Sequence, residues 1–320
     1  MDKLGQQGNQ DLEPWINMMV TSLLEPLAWL AQPSKRIYWL GLLISALLVY
    51  WFYRRENKTL STLWSPKYWK HPSALLDYKL IFINHWLDIF LIGPALITMG
   101  TVSIGFATVL QLCFPISPVI WPTTLIMIVF TITAFLCEDL SRWWLHRKLH
   151  TWPLLWRFHQ VHHSAEVLTP LTLYRMHPVE KLLFALRHSL SLGIVTGVFF
   201  WLFRSQLSGW QILGVDGIGF LLNLAGANLR HSHIPISWGK WERWIISPSQ
   251  HQIHHSALPE HYDKNFGSFL SIWDRYSGSW YQGSGKIKLS YGLKEKPSPL
   301  FATSLMMALF MPFRRKKLSP

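Results

Sequence analysis

The chain has 320 residues, half of them hydrophobic, and only 15% of them are charged, against about 25% in ordinary soluble domains. This composition is typical of a membrane protein. The net charge is +13, but the basic residues cluster beside apolar runs, which indicates positive-inside charge and attraction to anionic lipids, and excludes nucleic-acid binding. The two cysteines, Cys113 and Cys137, lie in or next to apolar runs and support neither a disulfide framework nor a thiolate metal site.

The chain begins with a polar stretch that has no basic start followed by an apolar core, so we expect no cleavable signal peptide. Residues Trp15 to Leu30 are apolar but interrupted by Glu25 and Pro26, which favours an interfacial amphipathic helix over a membrane span. A span needs roughly 20 mostly apolar residues. Five segments approach this length: Ile37 to Tyr53, Ile89 to Phe114, Val119 to Cys137, Leu182 to Phe203, and Trp210 to Leu229.

The basic residues set the predicted orientation of these spans. More Lys and Arg follow the first span than precede it, which places its carboxyl end in the cytoplasm. The next four spans then form two hairpins, and each returns the chain to the same side just before a histidine, His146 and His231. We expect residues 1–84 to form an N-terminal amphipathic segment and first span, 85–292 a catalytic membrane domain, and 293–320 a basic amphipathic tail.

Three histidine motifs follow these spans. One is HxxxH and two are HxxHH, and on a helix residues three or four apart share a face, so each motif projects its imidazoles in one direction. Eight histidines exceed the four ligands of one tetrahedral zinc ion, so the count predicts two metal ions. A single motif of this kind also arises by chance or at a helix end, but three on one membrane face argue against chance. The motifs are His146 and His150; His159, His162 and His163; and His251, His254 and His255.

The order of these motifs resembles the fatty acid hydroxylase and sterol desaturase superfamily of integral-membrane non-haem diiron oxidases. Between about residues 130 and 285 the chain has HxxxH, HxxHH, an HP step in YRMHPVE, a histidine in ANLRHSHIPI, HxxHH in SPSQHQIHHS, and DKNFGSFLSIWDRYSGS. The pattern is most similar to the alkylglycerol monooxygenase and bacterial sterol-desaturase-like branch. It departs after WD, where residues 276–279 read YSGS in place of an aromatic-Gly-Thr ending.

The resemblance implies a ninth ligand and several further site residues. His231 stands where the family supplies a ligand between the two HxxHH motifs. His177 is either a ligand or a helix-terminus residue, and His233 is expected to act behind the ligands or at the surface. Asn228 either reaches a metal through water or is a satisfied helix amide. Four other histidines match no ligand spacing and are expected to be structural or interfacial: His71, His85, His188 and His261.

Metal-bound imidazoles usually donate their other N–H to a carboxylate or a carbonyl. Asp139 lies two helical turns before His146, and Glu180 follows His177 by three residues, so both are candidate partners. Asp263 and Asp274, after the last motif, are candidates as well. Solvation at the level of the lipid headgroups is the competing explanation for all four.

We therefore predict an all-α bundle of about five membrane spans with a histidine-rich cap on the cytoplasmic face that holds a dimetal centre. The resemblance implies two iron ions, O2 as co-substrate, and hydroxylation or desaturation of a sterol-like, ether or acyl lipid in a bacterial inner membrane or endoplasmic reticulum. No GxGxxG fingerprint or haem-binding segment is evident, so electrons are expected from a ferredoxin or a cytochrome b5-type donor. Two alternatives stay open: a zinc-dependent membrane hydrolase, which lacks its usual HExxH motif here, and a metal-binding or transport protein.

Overall fold

A computed structural model describes residues 21, 24–32, 35, 38–57, 60–93, 98–204, 227–283, 289–295 and 298–314. Within these ranges the chain is helical and forms no strand. Its only extended pairings there are two isolated antiparallel bridges, Ile245 with Leu270 and Ser256 with Tyr291. The predicted all-α class is confirmed for this part of the chain.

The α-helices differ widely in length, and two of them are much longer than the rest. In chain order they are α1 (Trp39–Arg55), α2 (Pro66–Trp69), α3 (Pro72–Leu87), α4 (Met99–Cys113), α5 (Thr123–Thr151), α6 (Pro153–His163), α7 (Pro178–Phe203), α8 (Pro248–His254), α9 (Ile272–Ser277) and α10 (Leu305–Phe310). Short 3-10 helices lie at Trp29–Ala31, Leu60–Trp64, Pro170–Tyr174, Ala227–Leu229, Gly239–Arg243, Pro259–His261 and Met311–Phe313, and a π-helix at Asp88–Ile92.

Only α5 and α7 are long and apolar enough to cross a membrane among the described helices. They contain the predicted spans Val119 to Cys137 and Leu182 to Phe203, apart from the first residues of the former. The predicted span Ile89 to Phe114 does not form one helix: a π-helix ends at Ile92, and α4 begins at Met99. The predicted span Trp210 to Leu229 lies largely outside the described residues, as does half of the predicted helix Trp15 to Leu30, so the number of spans stays a prediction.

Helix α5 carries the first histidine motif beyond the apolar part of the bundle. Its 29 residues reach about 43 Å at the usual rise, whereas the hydrocarbon core of a bilayer is about 30 Å thick. Helix α5 is therefore longer than a single span requires, and its last turns, beyond its apolar residues, bear His146 and His150. Proline at the first position of α6, α7 and α8 starts each helix where an N–H would have no partner.

Two glycines let α4 pack directly on α7. Gly193 and Gly197 lie one turn apart on α7, in a GxxxG pattern that sequence analysis did not use. A Cβ at Gly193 would lie 2.7 Å from the side chain of Val102, and one at Gly197 would lie 2.8 Å from the carbonyl oxygen of Ser103. On its other side α7 packs on α5 through a core that includes Phe130 and Phe199.

Replacing Gly197 by alanine should destabilise the protein. The new methyl group meets the backbone of α4, and such overpacking costs about 1–3 kcal/mol. Gly105→Ala on α4 is the matched control, because a Cβ there has no neighbour within 4 Å. Thermal unfolding in detergent measures both; equal midpoints for G197A and G105A would contradict the close approach of α4 and α7.

Candidate metal centre

The structure brings nine predicted histidines into two adjacent groups of possible metal ligands. Within each group the ligand nitrogens lie within 4.8 Å of one another, and all nine side chains are buried. The rings of His163 and His255, one from each group, lie 4.4 Å apart and nearly parallel. The first group is His146, His150, His159, His163 and His254; the second is His162, His231, His251 and His255.

Each HxxHH motif contributes to both groups. On α6, His159 and His163 are one turn apart and join the first group, whereas His162 joins the second. At α8 the division is reversed, since His251 and His255 join the second group and His254 the first. The single direction predicted for each motif is therefore wrong in detail: positions i, i+3 and i+4 spread over about 100° of the helix circumference, which is broad enough to serve two neighbouring sites.

The outer nitrogens of four ligands have partners that fix the ring orientation. His146 Nδ1 donates to the carbonyl of Phe266 at 2.7 Å, and His254 Nδ1 donates to the carbonyl of Lys264 at 2.8 Å. His162 Nδ1 donates to the carbonyl of Arg175 at 3.0 Å. A carbonyl oxygen only accepts, so the proton of these neutral rings is on Nδ1 and the lone pair of Nε2 points inward.

A carboxylate holds the fourth of these rings. His159 Nδ1 lies 2.8 Å from Glu180 Oε1, and both side chains are almost fully buried. Glu180 lies in the first turn of α7, three residues after the N-cap residue His177. The start of this helix therefore fixes the position of the Glu180 side chain. The predicted candidate partner Glu180 thus contacts a ligand imidazole directly.

The inner nitrogens face each other at distances that suit a shared ion. Nε2 of His150 lies 3.0 Å from Nε2 of His159, and Nε2 of His231 lies 3.1 Å from that of His162 and 3.0 Å from that of His251. Two nitrogens bound to one ion at about 2.1 Å and about a right angle are separated by about 3 Å. The donor set fits Fe, Zn, Cu or Ni, the metals that imidazole favours.

Three further inward nitrogens, all buried, have no hydrogen-bond partner among the described residues: Nε2 of His163, His254 and His255. An unpaired buried polar group is costly, and cations between the rings would satisfy all three. The residues present therefore fit two metal ions, one for each group.

Burial keeps the ligand rings neutral. It lowers the pKa of His162 to about 3, so this imidazole carries no charge at neutral pH and its lone pair is available. Burial, reinforced by neighbouring imidazoles, holds the pKa well below the ordinary histidine value for the remaining ligands of α6 and α8: His159, His163, His251, His254 and His255.

Two predicted carboxylate partners act through backbone instead of touching an imidazole. Asp274 accepts from the backbone N–H groups of Phe266, at 3.0 Å, and Gly267, at 2.7 Å, and the carbonyl of Phe266 accepts from His146. Asp139 accepts from the N–H groups of Phe269 and Leu270, both at 3.1 Å. The direct contact expected of Asp139 fails because two helical turns separate it from His146 by about 10 Å along the axis.

Asp263 lies at the edge of the first group. Its carboxylate is 3.9 Å from His150 Nδ1, too long for a hydrogen bond, and its side chain is 63% exposed. Asp263 and Asn265 both have a φ of 56°, a left-handed conformation that Asn and Asp tolerate better than most residues. The loop they shape supplies the carbonyls of Lys264 and Phe266 to His254 and His146.

His177 and His233 lie outside both groups. His177 caps α7, since its Nδ1 accepts from the N–H of Val179 at 3.1 Å, and its Nε2 donates to the carbonyl of Leu309 at 3.1 Å. The ring of His233 stacks on Tyr68 at 3.9 Å. Of the histidines without ligand spacing, His71 caps α3, and His85 lies 3.2 Å from Glu25. His188 contacts Glu138, His261 is buried, and Asn228 is buried.

Arg175, which sequence analysis missed, supports the second group. Its carbonyl accepts from His162, and its fully buried guanidinium bonds Asp77 Oδ1 at 2.8 Å and the carbonyl of Ala302 at 2.7 Å. Thr172 donates to the other oxygen of Asp77 at 2.7 Å. This buried ion pair connects α3, the loop after α6 and the carboxyl-terminal segment. The only signal for it in the sequence was the position of Arg175 beside the HP step.

The fatty acid hydroxylase family model matches residues 131–279, which include all nine ligand candidates. The chain is 32% identical over 160 residues to alkylglycerol monooxygenase of Danio rerio, covering 50% of this chain and 32% of that protein. It is 25% identical over 238 residues to the ornithine lipid hydroxylase OlsE of Rhizobium tropici, covering 70% and 66%. It is 27% identical over 188 residues to lathosterol oxidase of Mus musculus, covering 57% of each.

These alignments leave much of the relatives unmatched, since the chain spans about a third of the length of the alkylglycerol monooxygenases. No solved structure matches the chain.

Glu180→Gln should weaken metal binding by about 10–100-fold, the usual effect of losing a charged partner behind a ligand histidine. The amide has the same size but no charge, so His159 becomes a weaker base. Glu56→Gln, an exposed position after α1, is the matched control. Metal retention during titration with a chelator is the measurement; equal retention by both variants would contradict the role of Glu180.

Proposed function

The chain belongs to the fatty acid hydroxylase and sterol desaturase superfamily, and on that premise we propose that it is an integral-membrane oxidoreductase. In this proposal the protein uses two non-haem iron ions and O2 to hydroxylate or desaturate a lipid. The nine named histidines would hold the iron pair. The observation that carries this proposal is the pairing of a five-imidazole group with a four-imidazole group in direct contact.

The composition of the two groups favours an oxidase over a zinc hydrolase. A catalytic zinc site usually has three protein ligands, an open position and a general base. Here both groups consist of imidazoles only, and the nearest buried carboxylate, Glu180, is already bonded to the outer nitrogen of His159. The sequence also has no HExxH motif.

The placement of the ligands disfavours transport. A transport path needs ligands spaced along the membrane spans. The nine histidines instead gather at the carboxyl end of α5, on α6, at residue 231 and around α8, so they form one compact centre. We place this centre on the cytoplasmic side of about five spans, as the charge distribution predicts.

The chain's own groups orient the centre and limit its contact with water. The carbonyls of Phe266, Lys264 and Arg175 and the carboxylate of Glu180 fix four rings, and all nine imidazoles are buried. Iron bound there supplies the activation of O2 and the removal of hydrogen from an alkyl carbon. The protein then has only to place the lipid carbon beside the imidazole cluster.

The reaction needs an external electron donor. Hydroxylation places one oxygen atom in the lipid and reduces the other to water with two electrons and two protons; desaturation removes two hydrogen atoms and reduces both oxygen atoms to water with the same external electrons and protons. We propose a ferredoxin or a cytochrome b5-type protein. Arg147 and Lys148 at the end of α5 would favour an acidic donor.

The lipid substrate should be an amphiphile. The names of the three relatives specify an alkylglycerol, an ornithine lipid and lathosterol, each of which joins a polar group to an apolar body. The apolar faces of α1 and α4, which expose Leu47 and Leu112, suit a bundle surrounded by such lipids.

Cells that make the protein should incorporate label from ¹⁸O2 into a lipid hydroxyl group, or accumulate a lipid with one more double bond, in a comparison with cells that lack it. His162→Ala and His254→Ala, one from each group, should abolish this product and lower the metal content while leaving membrane insertion intact. His188→Gln is the control, because His188 is half exposed and lies in neither group.

Mass spectrometry of the extracted lipids and elemental analysis of the purified variants provide the two readouts. Full turnover in H162A or H254A would refute the ligand assignment. A hydrolysed lipid without oxidation would favour the zinc hydrolase.

A further inference from the structure

A cavity of about 350 Å³ opens onto the histidine centre. It lies between α6, the end of α8 with the loop after it, and the carboxyl-terminal segment around residue 292. His150 at the end of α5 is its only lining residue from the two long apolar helices. The cavity therefore opens to the histidine centre from the side of α6, α8 and the carboxyl-terminal segment, and not from between the two long apolar helices.

Four of the residues that line the cavity are ligand candidates, and they come from both groups. His150, His163 and His254 belong to the first group, and His255 to the second. Nε2 of the last three is buried without a hydrogen-bond partner among the described residues. A molecule in this cavity would reach both metal positions.

Backbone contacts fix the carboxyl-terminal side of the cavity. The N–H of Ala257 donates to the carbonyl of Ser290 at 2.8 Å, and Ser256 forms a bridge with Tyr291, so the carboxyl-terminal segment is fixed beside the last HxxHH motif. Gly292 then turns with a φ of 97°. This turn brings residues 294 and 295 to the cavity, although they lie beyond the family-matched region.

The lining of the cavity also combines aromatic rings with charges of both signs. Trp156 lies 5.2 Å from the ring of His150 and lines one wall, and Tyr262 lines another. Asp263 and Glu295 supply two carboxylates, and Lys294 supplies an ammonium group. Carboxylates and aromatic faces are the groups that bind an ammonium ion, and a lysine binds a phosphate or carboxylate oxygen.

We propose that this cavity binds an amine-bearing zwitterionic lipid headgroup, with the ammonium between Asp263, Glu295 and the aromatic walls and the anionic oxygens at Lys294. The inference rests on the proposed function and names its substrate class. A cavity of this size is at the small end of the usual 300–1,000 Å³ for ligand sites. It suits a headgroup and the carbons next to it, not a whole acyl chain, so oxidation would fall near the headgroup.

The test is a binding measurement that requires no turnover. Full-length protein in dodecyl maltoside, with the metal it contains when purified without air, is titrated calorimetrically with dihexanoyl phosphatidylethanolamine and dihexanoyl phosphatidylglycerol. The two probes share chains and phosphate; the first ends in an ammonium group and the second in an uncharged glycerol. We expect the amine probe to bind about tenfold more tightly, because only its ammonium group can form charged hydrogen bonds with the two carboxylates.

Asp263→Asn and Glu295→Gln should each reduce this preference several-fold. Asparagine tolerates the left-handed φ of Asp263, and Glu295 is exposed, so both variants should fold. Glu260→Gln, an exposed acidic position on the same loop that does not line the cavity, should leave the preference unchanged.

Equal binding of the two probes, or a preference that survives in both D263N and E295Q, would overturn the inference. Either result would leave the proposed function standing if O2-dependent lipid oxidation persists. Conversely, a normal amine preference in a protein that fails to oxidise lipid would count against the proposed function alone.

Discussion

The supports of the histidine centre are organised around one constraint: nine imidazoles are buried with ring nitrogens turned toward each other. The outer nitrogens of His162 and His159 hold the ring proton, so their Nε2 atoms carry lone pairs, and each lies 3.0 to 3.1 Å from Nε2 of a second imidazole. Metal ions would bind such lone pairs and satisfy the unpaired nitrogens of His163, His254 and His255. Metal affinity and folding of the cap should therefore be strongly coupled.

The supports of this cluster extend beyond the family-matched residues. Asp77 on α3 and Ala302 in the carboxyl-terminal segment hold the guanidinium of Arg175, whose own carbonyl orients His162. The carbonyl of Leu309 likewise holds His177, which caps the helix that carries Glu180. The predicted division at residues 84/85 falls inside α3, and the described part of the predicted tail packs on the cap through the buried Phe301. The domain limits stay a prediction, but the metal centre depends on all three segments.

The sequence was sufficient to predict all nine clustered histidines: eight stand at helical spacing in three motifs, and His231 was predicted from the family resemblance. It was not sufficient for their division between two groups, which depends on the positions of α6 and α8 in the folded chain. Most outer partners were also invisible, since a backbone carbonyl such as that of Phe266 or Lys264 has no residue signature. The predicted span Ile89 to Phe114 contains Gly93 followed by Pro94, a helix-breaking pair that hydropathy alone did not register.

We propose that this chain holds two iron ions, one in each of two adjacent histidine groups. Elemental analysis combined with Mössbauer spectroscopy on protein purified from iron-57-grown cells tests this most directly. We expect about two iron ions per chain with the signature of a coupled pair, and loss of both on replacement of ligands from the two groups. A single ion per chain, or zinc in protein that still oxidises lipid, would contradict the proposed iron pair.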